Sequence, residues 1–122
     1  MPPGGTVVSL PRRQLGAAVE DRVAQYLLDR GWTLVTRRCT IGGGELDLVA
    51  FDGDELVFVE VKSRRDRALP EESVTPRKAQ RLRAAARAYI AELSSPAQGY
   101  RFDIVAVDRD ELRHHERVLG GD

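Results

Sequence analysis

Asp47, Glu60 and Lys62 are the residues in this chain best placed to do chemistry together. They sit in two runs, "GELDLVAF" and "LVFVEVKSR", separated by the turn-forming "DGDE". Both runs have the β-branched and apolar content of strands, and the turn residues between them predict a β-hairpin. A two- or four-residue loop sets Asp47 opposite Glu60 and Glu45 opposite Lys62. Because strand side chains alternate faces, all four then share one side, and Leu46, Leu48, Val57, Val59 and Val61 form an apolar layer on the other. Opposed carboxylates repel, and a divalent cation relieves that repulsion. One aspartate and one glutamate, with water completing the shell, suit Mg2+ or Mn2+ better than zinc. Lys62 could then orient or deprotonate a water, or stabilise charge growing on a phosphate. A cross-strand charge ladder, with Lys62 neutralising Glu45, accounts for the same pattern without chemistry.

The elements that must position these residues follow from periodicity. Leu15, Ala18, Val19, Val23, Tyr26 and Leu27 recur at helical spacing within residues 13 to 30, and Gly31 supplies a stop. "WTLVTRRC" reads as a strand broken by the glycines at 42 to 44, ahead of the hairpin. Thr75 as N-cap and Pro76 at the first helical position open a second helix with Leu82, Ala85, Ala86, Tyr89, Ile90 and Leu93 on its buried stripe. "YRFDIVAV" is a further strand, and "LRHHERV" reads as a last, edge strand. Helix, three strands, helix and two strands predict an α/β domain, a mixed central sheet flanked by helices, over residues 13–122. Residues 1–12 read as a flexible arm.

Composition narrows the classes. With 19 basic and 19 acidic residues, a uniformly basic coat is excluded, but the charges are segregated. Glu45 to Glu60 holds six acids and no base, whereas Lys62 to Arg87 holds nine bases and three acids. An acidic cluster beside a basic band fits a cation site on a phosphate-binding surface. No apolar run approaches the ~18 residues of a membrane span, and no secretory signal pattern precedes the domain, so a cytoplasmic protein is expected. Cys39 is the only cysteine, which excludes an internal disulfide. Asp103 reads as a structural acid on its strand, and His114 and His115, being adjacent, as surface residues.

Taken together, "QLGAAVEDRVAQYLLDRGW", "GGGELDLVAFDGDELVFVEVKSR" and "YRFDIVAV" resemble the YraN-like family of small bacterial proteins. Their central block resembles the PD-(D/E)xK motif of restriction-endonuclease-like nucleases, which are related to archaeal Holliday junction resolvases. The resemblance spans about Gln14 to Val118. It implies the restriction-endonuclease-like fold and a Mg2+- or Mn2+-dependent endonuclease acting on DNA, branched DNA included. By position it makes Asp47 and Glu60 the metal carboxylates, Lys62 the catalytic lysine, and Glu20 a further metal ligand from the first helix. Leu46 stands where the literal motif has proline. Glu45 also matches the family pattern, as a ligand, a water holder or a partner of Lys62. At 100° per residue Glu20 falls on the rim of its helix's apolar stripe, a position open to a ligand and to a solvated glutamate alike.

Arg64 and Arg65 follow the ExK strand, and Arg77, Lys78 and Arg81 share a face of the second helix, where they could track consecutive backbone phosphates. A second copy of the chain is a candidate partner, since resolving a junction takes two cuts. A DNA-binding or scaffolding module that keeps the fold without turnover is the alternative function, and an RNA-directed nuclease is a weaker third.

Overall fold

The computed structural model describes residues 6–10, 18–63, 74–94 and 99–119. Its elements are β1 (Thr6–Ser9), α1 (Val19–Asp29), β2 (Thr33–Ile41), β3 (Gly44–Asp52), β4 (Glu55–Ser63), α2 (Pro76–Ala91), β5 (Tyr100–Asp108) and β6 (Glu111–His115). Six strands form one mixed sheet in the order β1-β6-β5-β4-β3-β2. Only β4 and β5 run parallel, joined through α2; the other neighbours are antiparallel. No helix among the described residues is long and apolar enough to cross a membrane.

Each helix covers one face of the sheet. Alternation along β4 sends Val57 and Val59 into a cluster with Val23, Tyr26 and Leu27 of α1, and Leu56 and Phe58 into a cluster with Leu82, Ala85 and Ala86 of α2. Both faces of β4 are therefore buried, which explains its nearly continuous apolar run. Helix α1 ends where Gly31 takes φ 85°, with Gly31 N–H donating to Leu28 O (2.9 Å) and Trp32 N–H to Leu27 O (3.1 Å). That is the Schellman pattern, and it turns the chain directly into β2. Helix α2 opens as expected: Thr75 Oγ1 accepts from Lys78 N–H at 3.2 Å, with Pro76 in the first turn. The β2–β3 turn lies under α2. A side chain at Gly44 would place Cβ 2.9 Å from Arg81 O, and at Gly42, 2.8 Å from Ala88 Cβ. Glycine there is a packing requirement as well as a turn signal.

Two expectations change. Thr6–Ser9, inside the stretch expected to be a flexible arm, instead pairs with β6, so β6 is interior and β1 is the edge. His114 and His115 are buried, at 1% and 2% exposure, rather than on the surface, with the His114 ring packed edge-on against Tyr26 and Trp32. Arg64 and Arg65 lie outside the described residues.

Candidate metal and phosphate site

The hairpin has the expected register as far as it runs: Asp52 pairs with Glu55, Phe51 with Leu56, and so on to Leu48 with Val59. Beyond Leu48 the main-chain pairing gives way to a side chain. Asp47 Oδ2 accepts from the backbone N–H of Val61 at 2.9 Å, so the carboxylate enters the gap between the strands. Across that gap lies Glu60, whose Oε1 is 3.1 Å from Lys62 Nζ; both side chains are 11% exposed. Asp47, Glu60 and Lys62 are thus brought together, on the rigid floor of the sheet.

Burial pushes the Asp47 carboxyl up to about 6, and the neighbouring Glu60 carboxylate adds to the shift. An apolar cleft lined by Leu46, Phe58, Val74, Leu82, Phe102 and Leu119 opens beside both carboxylates. Lys78 reaches the same cluster from the first turn of α2, its Nζ 3.8 Å from Glu60 Oε1. The adjacent Lys62 ammonium, and then burial, hold Lys78 below the ordinary lysine range. The sequence assigned Lys78 to the phosphate-contacting face of α2; its contact with Glu60 was not anticipated. The signal was there in Thr75-Pro76, which fixes the helix start three residues before it. Arg77 and Arg81 project from the same helix into solvent.

Glu45 does not join the others. The face pattern of β3 reverses at Asp47: Leu46 packs in the α2 cluster while Leu48 packs in the α1 cluster. On β2 the matching irregularity is Arg38, with φ 52°, lying between the Arg37–Leu48 and Cys39–Leu46 pairs. Gly44 and Leu46 face α2, so Glu45 between them faces the other way, exposed and paired with Thr40. The expected sharing of one face therefore fails for Glu45, and Leu46 leaves the α1-side layer. The hairpin loop is even as required; the reversal within β3 is what breaks the alternation.

Glu20 extends from α1 to the edge of the sheet, where its two oxygens take Arg37 Nε (3.2 Å) and Arg38 Nε (3.1 Å). Arg37 also pairs with Asp21. Among the described residues, Glu20, Asp47 and Glu60 do not converge within 4.8 Å.

A second polar cluster was missed at sequence level. Arg101, 7% exposed, binds Asp103 (3.0 Å), Glu55 (2.6 Å), Asp52 (3.2 Å) and Glu116 (3.3 Å). Asp103, fully buried, also contacts His114 Nε2 at 2.7 Å, and His114 Nδ1 meets Tyr26 Oη and Arg30 NH1, each at 2.8 Å. Burial alone would raise Asp103, but the contacts with His114 and Arg101 hold it below the usual carboxylate range. Ligand atoms of Asp103, His114 and Glu116 lie within 4.8 Å of one another, a spacing that could hold a metal ion. The guanidiniums of Arg101 and Arg30 already occupy those atoms and would repel a cation, so the cluster fits a structural clamp between β5, β6 and α1.

With this geometry in view, the relatives give the family but no activity. A UPF0102 protein of Symbiobacterium thermophilum is 43% identical over 98 residues, covering 79% of this chain and 83% of its own length. One of Pelotomaculum thermopropionicum is 42% identical over 116 residues, covering 88% and 97%. One of Herminiimonas arsenicoxydans is 41% identical over 103 residues, covering 83% and 82%. Residues 19–107, from the start of α1 almost to the end of β5, match the family described as uncharacterised protein family UPF0102, and the chain belongs to that family.

Proposed function

We propose that this protein is a divalent-metal-dependent endonuclease of restriction-endonuclease-like fold that hydrolyses phosphodiester bonds in DNA, branched DNA in particular. The observation that carries the reading is the placement of Asp47 and Glu60 against each other where β3 and β4 part, with Lys62 3.1 Å from Glu60. A carboxyl group whose proton affinity is raised by burial and by a neighbouring carboxylate suits a cation, and an Asp and Glu oxygen set suits magnesium or manganese. When bound, that ion supplies Lewis-acid charge which activates water and offsets charge building on the phosphate. Asp47 and Glu60 hold the site and keep it aligned with the sheet. Lys62, fixed by Glu60 and little exposed, orients the attacking water or stabilises the developing negative charge. Glu20 enters as a ligand only by giving up Arg37 and Arg38. Arg77 and Arg81, with Arg64 and Arg65 beyond the end of β4, supply backbone contacts that anchor DNA without reading sequence. The setting is cytoplasmic, and a homodimer would let two strands be cut.

A second reading, a DNA-binding or scaffolding module without turnover, is favoured by the neutralisation of Glu60 by Lys62 and Lys78. Incubating the purified protein with labelled junction, flap and linear DNA, and matching RNA, in manganese separates the two. The nuclease reading expects cleavage that Asp47→Ala and Lys62→Ala abolish. DNA binding that needs no metal, survives Glu60→Ala and comes without cleavage selects the module.

A further inference from the structure

One oxygen, Glu60 Oε1, receives two ammoniums from different elements: Lys62 Nζ of β4 at 3.1 Å and Lys78 Nζ of α2 at 3.8 Å. One lysine is enough to neutralise one carboxylate. A second, brought close to the first, adds mutual repulsion and stabilises the resting protein little. Arg77 and Arg81 of α2 stand in solvent, while Lys78 turns toward Glu60. Lys78 is anchored at its base, its N–H held by the Thr75 hydroxyl at 3.2 Å. The two side chains differ in freedom. Lys62 is 11% exposed, whereas Lys78 is 43% exposed and can swing about that anchored base.

We propose that Lys78 is a second phosphate-contacting lysine of the Asp47–Glu60 site, resting on Glu60 until a divalent cation takes that carboxylate and then meeting a non-bridging oxygen of the phosphodiester. The substrate class rests on the nuclease reading. Cation and Lys78 compete for the same oxygen, so binding of one releases the other at the place where the phosphate must arrive. The position also separates Lys78 from Arg77 and Arg81, whose contacts would lie along the DNA backbone away from the reacting group.

The test compares Lys78→Ala, Lys78→Arg and Arg77→Ala with the wild-type chain, using manganese binding to the DNA-free protein by electron paramagnetic resonance and single-turnover cleavage of a labelled DNA junction. Lys78→Ala is expected to bind manganese several-fold more tightly, about three- to tenfold, because a competing charge is gone. It should cleave bound junction at least about tenfold more slowly with DNA affinity within about threefold of wild type. Lys78→Arg should recover part of the rate. Arg77→Ala should weaken DNA binding by more than it slows the cutting of bound junction. A Lys78→Ala protein that cleaves at the wild-type rate, or that only loses DNA affinity as Arg77→Ala does, overturns the role of Lys78 and leaves the nuclease reading standing. A wild-type protein that binds manganese but cleaves no DNA overturns the nuclease reading, and the phosphate contact of Lys78 with it.

Discussion

Asp47 caps the backbone N–H of Val61 with its side chain, 2.9 Å away, at the level where β3 stops pairing with β4. In place of a main-chain ladder bond stands a carboxylate that also neighbours Glu60. Local sheet stability is exchanged for a buried acid that is ionised only at a cost.

That cost has a pH signature. The folded-state value of Asp47, about 6, lies above its ordinary 3.8, so the native protein binds the extra proton between those values. Stability of the metal-free protein should rise as pH falls from above 6 toward 4, and the ionised acid is destabilising at pH 7 and above. Asp47→Asn keeps an acceptor for Val61 N–H and removes the charge. Thermal melts in chelator should show the variant more stable than wild type by a few degrees, about 2 to 6 °C, at pH 7.5, with the gap closing by pH 4. A variant that is less stable at every pH contradicts the burial argument.

Manganese should stabilise the wild-type protein through the same pair. At a hundredfold excess over its dissociation constant a native-state ligand contributes about 2.7 kcal/mol. The rise in Tm should vanish in Asp47→Asn and Glu60→Gln and persist in Glu45→Gln, whose carboxylate points away from the site. Retention of the shift in Glu60→Gln would place the ion elsewhere, with the Asp103, His114 and Glu116 cluster as the first place to look.

Arg101 is the centre of the second cluster, and its removal leaves the buried Asp103 without its guanidinium partner. Burial alone would lower the Arg101 pKa, but Asp103, Glu55 and Asp52 raise it above the ordinary arginine value. Urea unfolding of Arg101→Met should reveal a loss of about 3 to 5 kcal/mol, the range for breaking a buried ion pair. Because Asp103 is held below the usual carboxylate range, its contribution is present above pH 4 and lost as pH falls through its lowered value. The wild-type protein should therefore weaken steeply below pH 4, and Asp103→Asn less so. A loss under 1 kcal/mol in Arg101→Met would mean the clamp is ornamental.

Gly44 links packing to the site. A methyl group there meets Arg81 O at 2.9 Å and Ala85 Cβ at 3.3 Å, so Gly44→Ala must push α2 off the sheet. Such overpacking costs about 1 to 3 kcal/mol, and the displacement carries Lys78 away from Glu60. Chemical denaturation should register the cost, and manganese affinity should rise as the competing lysine retreats. An unchanged unfolding midpoint would show that α2 yields without strain.

The parts of the fold that local chemistry dictates could be read from the chain. Gly31 ends α1, Thr75-Pro76 starts α2, and Gly53-Asp54 sets a hairpin register that aligns Leu48 with Val59. Asp47 and Glu60 were legible as partners because that register propagates by simple alternation. Glu45 was misplaced because alternation reverses at Asp47, opposite Arg38, whose left-handed backbone no turn residue announces. His114 and His115 read as exposed because β6 has the look of an edge strand, but Thr6–Ser9 pairs outside it and Tyr26 and Trp32, far back in the sequence, pack on the His114 ring. Lys78 and Arg101 show the same limit. Lys78 meets Glu60 on another strand, and Arg101, beyond Asp103 on its own strand, meets Asp52, Glu55 and Glu116 from elsewhere, which a charge pattern along one element cannot reveal.

Asp47 and Glu60 are proposed to hold a divalent cation between strands β3 and β4. Anomalous diffraction from crystals soaked in manganese measures this directly. A peak within coordination distance of both carboxylates, with Lys78 moved off Glu60, is the predicted result. A well-soaked crystal with no peak between them, and with Lys62 and Lys78 still resting on Glu60, would contradict the account.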